Sequence, residues 1–96
     1  MRVEYHPSVQ QDVGEAMQRY QAVSDRLGEE FKSELRRVIA MASANPGRFH
    51  LIKPGFHRAN LTRFPYHFIY RDIPEGIRVI LVRHHRRQPQ FGMERK

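Results

Sequence analysis

Arg83-His84-His85-Arg86-Arg87 is the densest run of side chains able to do chemistry in this sequence. Guanidinium groups present paired donors to phosphate or carboxylate and stay charged at any physiological pH, so the run fits an anion-binding patch. It also fits a plain solvated strand end. Adjacent strand residues point to opposite faces, which would place Arg83 and His85 on one side and His84 and Arg86 on the other. The two histidines make a poor metal site, because no third ligand stands at a helpful spacing. Arg63 and Arg78 extend the candidate patch, and Lys53, Arg58 and Arg71 add cations on neighbouring segments. No Ser-His-Asp spacing, Gly-rich phosphate loop or metal-binding helix is present. No cofactor is expected, and no metal. Asp72, Glu75 and Glu94 are the only carboxylates after residue 48. An enzyme built on this half would have to use a histidine or a substrate hydroxyl as base, with arginines stabilising developing negative charge.

The charge is segregated. Residues 1–48 hold seven Lys/Arg and seven Asp/Glu, while residues 49–96 hold ten and three, which accounts for the whole formal charge of +7. A positive surface aimed at phosphates, RNA or an acidic protein follows more naturally from this than solubility alone. A chain of 96 residues suits one domain, 1–96, with one core and little room for an enclosed large cofactor. With no cysteine, disulfides and thiolate metal sites are excluded. The start, Arg2-Val3-Glu4-Tyr5-His6-Pro7, is no signal-peptide core, and no segment approaches the roughly 18 apolar residues of a membrane span. The expectation is a cytoplasmic protein with no membrane contact.

The elements that must position the basic run follow from periodicity. Val3 and Tyr5 alternate in a short strand over residues 1–5, stopped by His6-Pro7. Ser8 and Gln11 have capping-box spacing. Val9, Val13, Ala16, Met17 and Tyr20 then recur at helical steps, and Leu27, Phe31, Leu35, Val38, Ile39 and Ala42 trace a second helix after the break at Ser24-Asp25. Asn45-Pro46-Gly47 ends it. The period then falls to two. Residues 58–63, 66–71 and 77–82 read as strands, with a turn at Phe64-Pro65 and a hairpin loop over 72–76. The tail from His84 is polar apart from Phe91 and Met93. The predicted fold is therefore α+β, in the order β-α-α-β-β-β. A helical hairpin packs on one face of a small, mainly antiparallel sheet, Val79 and Leu81 point at the helices, and the opposite face is left free for work.

Several of these residues carry a family pattern. Phe64-Pro65-Tyr66 with Ile69-Tyr70, then Ile80 to Val82, then His84 with Arg86-Arg87-Gln88-Pro89, resembles the C-terminal half of ParE-type toxins of the RelE/ParE superfamily. The strand before His6-Pro7, Asp12, Leu27-Gly28 before Phe31, and Asn45-Pro46 resemble its first half. The resemblance spans essentially the whole chain in the expected order. It implies the toxin of a type II toxin–antitoxin module, of the kind also described as a plasmid stabilisation protein. Such a toxin would act on DNA gyrase by protein binding and be neutralised by a ParD-like antitoxin with an acidic or amphipathic C-terminal segment. The RelE branch of the same superfamily implies the alternative, a ribosome-dependent messenger-RNA endoribonuclease. One departure weighs against that branch: Phe91 stands near the position where it commonly carries a tyrosine, and phenylalanine has no proton to exchange. A non-toxic nucleic-acid- or protein-binding module is the third reading, and the charge segregation suits all three.

Overall fold

A computed structural model describes residues 2–96. The first strand, β1 (Arg2–Tyr5), leads through His6-Pro7 into helix α1 (Val9–Gln21). Ser8 does not cap α1 with its side chain, contrary to the capping-box spacing. Its own backbone is already helical, at φ −75° and ψ −10°, and its N–H is held by the His6 ring at 3.1 Å. Gln11 turns outward to Glu15 instead. The second helix, α2 (Asp25–Ala44), has a true N-cap: Ser24 is extended and its hydroxyl accepts the Leu27 N–H at 3.0 Å. Asn45-Pro46 ends α2, and a single 3-10 turn follows over Pro46–Arg48.

Four strands complete the chain: β2 (His50–Lys53), β3 (Phe56–Asn60), β4 (Tyr66–Ile73) and β5 (Gly76–His84). They form an antiparallel meander, and β1 joins β5 in parallel, giving the sheet order β1-β5-β4-β3-β2. The α+β class and the helical hairpin on one sheet face are as predicted, with one strand more. That strand, β2, is an edge strand exposed along all four residues, so it shows no alternation of burial. Gly76 sits where β1 crosses closest: a Cβ there would lie 1.8 Å from the Arg2 carbonyl oxygen.

The core is sealed between the helices and one sheet face. Val9, Ala16, Phe31, Leu35, Val38, Ile39 and Ala42 pack against Phe68, Tyr70, Ile77, Val79 and Val82. Tyr20 brings α1 and α2 together with the β3–β4 loop, its ring lying 5.3 Å from Phe31 and 4.9 Å from Phe64. Glu34, buried in α2, fixes that loop: its carboxylate accepts the Thr62 N–H and hydroxyl and the Arg63 N–H. Burial raises the Glu34 pKa, but these bonds and the Arg37 charge outweigh it and hold the carboxyl below its usual value.

Two expectations for the other sheet face are corrected. Leu81 points away from the helices, because a register shift between Ile69 and Tyr70 leaves Ile80 as an extra residue in β5 and reverses the alternation after Val79. It joins Ile69 and Ile80 in a second cluster. That outer face is not bare either. The tail returns across it, placing Met93 against the cluster with Phe56.

Candidate functional site

Beyond Tyr5 the chain turns off into α1, but β5 runs on to His84. The gap so created, between α1 and the residues after β5, is a cleft of about 490 Å³. Its floor is the end of β5, Val82 to His84. Asp12, Glu15, Ala16 and Arg19 wall it from α1, and Tyr66, Arg86, Arg87 and Phe91 complete it.

Each wall has a local cause. Asp12, Glu15, Ala16 and Arg19 fall on one side of α1 because they are spaced three and four residues apart. Asp12 accepts the Val82 N–H at 3.1 Å and is paired with Arg95 at 2.6 Å, so its charge is spent inside the fold. Arg87 lies 4.0 Å above the Phe91 ring, which holds the guanidinium at the cleft's lip. The Arg86 N–H donates to His84 Nδ1 at 3.0 Å, so the neutral His84 ring carries its proton on Nε2. Burial and the Arg19 and Arg86 charges depress the His84 pKa, which keeps the ring neutral. Burial pushes the Tyr66 phenol up, with Glu15 adding to the shift and Arg19 opposing it. No carboxylate among the described residues lies within ion-pair distance of Arg19, Arg86 or Arg87.

The seven residues singled out in the sequence are therefore divided. His84, Arg86 and Arg87 line the cleft with Arg83 beneath them. Arg63 is ion-paired to Glu30 at 2.9 Å on the β3–β4 loop. Arg78 is paired with Glu4 at 3.3 Å and donates to the Lys96 carbonyl. Arg83 is buried, contrary to a free place in the patch. Its Nε donates to His67 Nε2 at 2.9 Å, and its Nη1 donates to the Pro89 and Phe91 carbonyls. Because His67 Nε2 accepts that bond, the His67 proton must sit on Nδ1, where it meets His85 Nδ1 at 3.0 Å. Burial, then the charges of Arg58 and Arg83, lowers the His67 pKa to about 3. The Arg83–His67–His85 chain is thus a neutral-histidine support for the tail on the outer face, and Arg83 and His85 do share one side.

Arg19, Glu15, Asp12 and Tyr66 are the cleft residues that the sequence left unassigned. The one available signal was Asp12, a charge set among the apolar positions of α1. Among the described residues, no group of three or more His, Asp or Glu converges as metal ligands, and no helix is long and apolar enough to cross a membrane.

A family model described as the ParE toxin of type II toxin–antitoxin systems, parDE, matches residues 3–89. No curated protein gives a significant sequence match to the chain.

Proposed function

The chain belongs to the ParE toxin family of type II toxin–antitoxin systems, with the antitoxin partner that this membership implies, and on that premise we propose that its cleft arrests its target by binding and not by chemistry. DNA gyrase is the proposed target, and a ParD-like antitoxin with an acidic or amphipathic C-terminal segment the proposed neutralising partner. One observation carries the reading. The three guanidinium groups of Arg19, Arg86 and Arg87 surround one cleft without a carboxylate partner, whereas Asp12 and the Arg83–His67–His85 chain beside it are spent on structural contacts. Arg83 and His67 satisfy each other, and Phe91 brings no hydroxyl to the lip. Unpaired arginines on a partly apolar floor suit an acidic protein surface.

A specific observation favours a second reading, the ribosome-dependent endoribonuclease. The fold brings Glu15 into the cleft with Tyr66, His84 and Arg19, supplying a carboxylate that the basic half of the sequence lacks. The test is a pair of assays at equal toxin concentration: supercoiling by purified gyrase and cleavage of ribosome-bound messenger. Inhibited supercoiling with intact messenger is the expected result. Cleaved messenger with untouched supercoiling overturns the binding reading and establishes the second.

A further inference from the structure

The floor of the cleft is an unfinished strand pairing. The β1–β5 ladder ends with the His6 N–H donating to the Val79 carbonyl at 2.8 Å, and beyond it β5 has no strand on that side. Two side-chain contacts stand in for one. Arg95 donates to the Ile80 carbonyl at 3.1 Å, and Asp12 accepts the Val82 N–H. The pleat repeats every two residues, so the Val82 carbonyl and the His84 N–H open on the same edge as the Val82 N–H. Tyr66, opposite His84, turns its N–H to Phe64 and its carbonyl to Leu61, which confirms that His84 directs its backbone away from β4.

What remains open on this edge has a direction. An antiparallel neighbour exchanges both bonds with a single residue. At Val82 the N–H is taken by Asp12, and at His84 the carbonyl is taken by the Arg87 N–H at 2.9 Å. A parallel neighbour places one residue between the carbonyl of residue i and the N–H of residue i+2. Val82 C=O and His84 N–H are such a pair: the pleat turns both away from β4, and neither bonds to a loop backbone group or a side chain among the described residues. The slot lies in line with β1, which is also parallel to β5.

We infer that the cleft takes an extended acidic segment of the antitoxin as a strand parallel to β5, one residue bridging Val82 C=O and His84 N–H while flanking carboxylates meet Arg19, Arg86 and Arg87. This rests on the cleft being a partner site, as proposed above. The backbone slot supplies register, and the arginines supply the choice of an acidic chain. Glu15, one turn before Arg19 on the same wall, disfavours a carboxylate against its own end of the cleft and so directs the segment's acids toward Arg19, Arg86 and Arg87.

The test uses the toxin with its co-expressed cognate antitoxin. Amide exchange of the labelled toxin, free and in complex, should slow at least tenfold at His84 on binding, with Val82, already held by Asp12, little changed. The variant Arg19→Gln/Arg86→Gln/Arg87→Gln, with unaltered circular dichroism, should bind the antitoxin at least a hundredfold more weakly. A complex in which His84 exchange is unchanged overturns the strand slot while leaving the toxin reading intact. Full affinity in the triple variant overturns the acidic segment. His84 protection in the antitoxin-free protein, with a doubled mass in sedimentation, assigns the slot to a second copy instead. A chain that neither binds antitoxin nor arrests growth removes this inference and the proposed function together.

Discussion

Arg95 and Asp12, 83 residues apart, form a nearly buried ion pair in which each member also closes an open backbone group of the same strand. Asp12 takes the Val82 N–H and Arg95 donates to the Ile80 carbonyl. The pair therefore ties the tail to α1 across the edge of β5, and it fixes the depth at which the cleft begins. The matched family region ends at residue 89, so Arg95 lies outside it.

Asp12→Ala should lower stability by about 3–5 kcal/mol, since it strands the Arg95 charge and a buried Val82 N–H together. Arg95→Met keeps the apolar stem and leaves Asp12 with its backbone bond. The double variant should cost less than the sum of the two, because the charges then disappear as a pair. Urea unfolding of all four proteins gives the coupling directly. Strict additivity would show that the contact contributes nothing.

Leu35→Ala should cost about 2–5 kcal/mol, the range for deleting a large aliphatic side chain in a packed core. Leu35 is 5% exposed and belongs to the cluster that joins α2 to the sheet. The same denaturation measurement checks it, and an unchanged midpoint would contradict the packing of α2.

The helices and the class of fold were legible because burial there is periodic: Leu27, Phe31, Leu35, Val38 and Ile39 leave a stripe that only one face can bury. Strand β2 was not, since Leu51 and Ile52 stay exposed on an edge and leave no pattern. The face of Leu81 was misjudged because a single extra residue in β5 reverses the alternation, and nothing local marks it. The site divides along similar lines. The charge of the Arg83–Arg87 run is a local property and was visible. The burial of Arg83 depends on His67 and on two tail carbonyls, and the arrival of Arg19 and Asp12 at the cleft depends on how α1 docks. Phe91 and Met93, the apolar exceptions in a polar tail, are the trace that the tail's return onto the sheet leaves in the sequence.

Stability should fall with acid in a window set by His67. Its folded pKa is about 3 against an ordinary 6.5, so between those values the unfolded chain binds the proton and the folded one does not. His67 therefore contributes full stability above pH 6.5, and the contribution is withdrawn as the pH drops toward 3, by at most about 1.4 kcal/mol per pH unit. His67→Gln retains an acceptor for Arg83 and a donor for His85 but cannot titrate, so it should flatten the slope across that window. Thermal melts at half-unit pH steps measure both proteins. Equal slopes would mean that His67 is not held neutral.

A cleft that acts by binding should lose activity in graded steps. Arg86→Ala and Arg87→Ala each remove one charge-assisted contact, worth about 1.5–3 kcal/mol, or roughly ten- to a hundredfold in affinity. Arg→Lys at either position should keep part of the effect, since the charge survives and the bidentate fork does not. His84→Ala should leave most of the activity, because its ring is neutral and already accepts the Arg86 N–H. Phe91→Tyr should create none. Arg83→Ala is a separate case: it removes the support of Pro89 and Phe91 and should fail through stability, visible in the melting temperature before any loss of toxicity. The opposite pattern belongs to acid–base chemistry, where loss of Glu15, Tyr66 or His84 would abolish messenger cleavage by a hundredfold or more at unchanged stability. Growth arrest titrated against inducer, read beside the melting temperature of each variant, separates the two. Graded losses at Arg86 and Arg87 support binding, and an all-or-none loss at Glu15 or His84 would refute it.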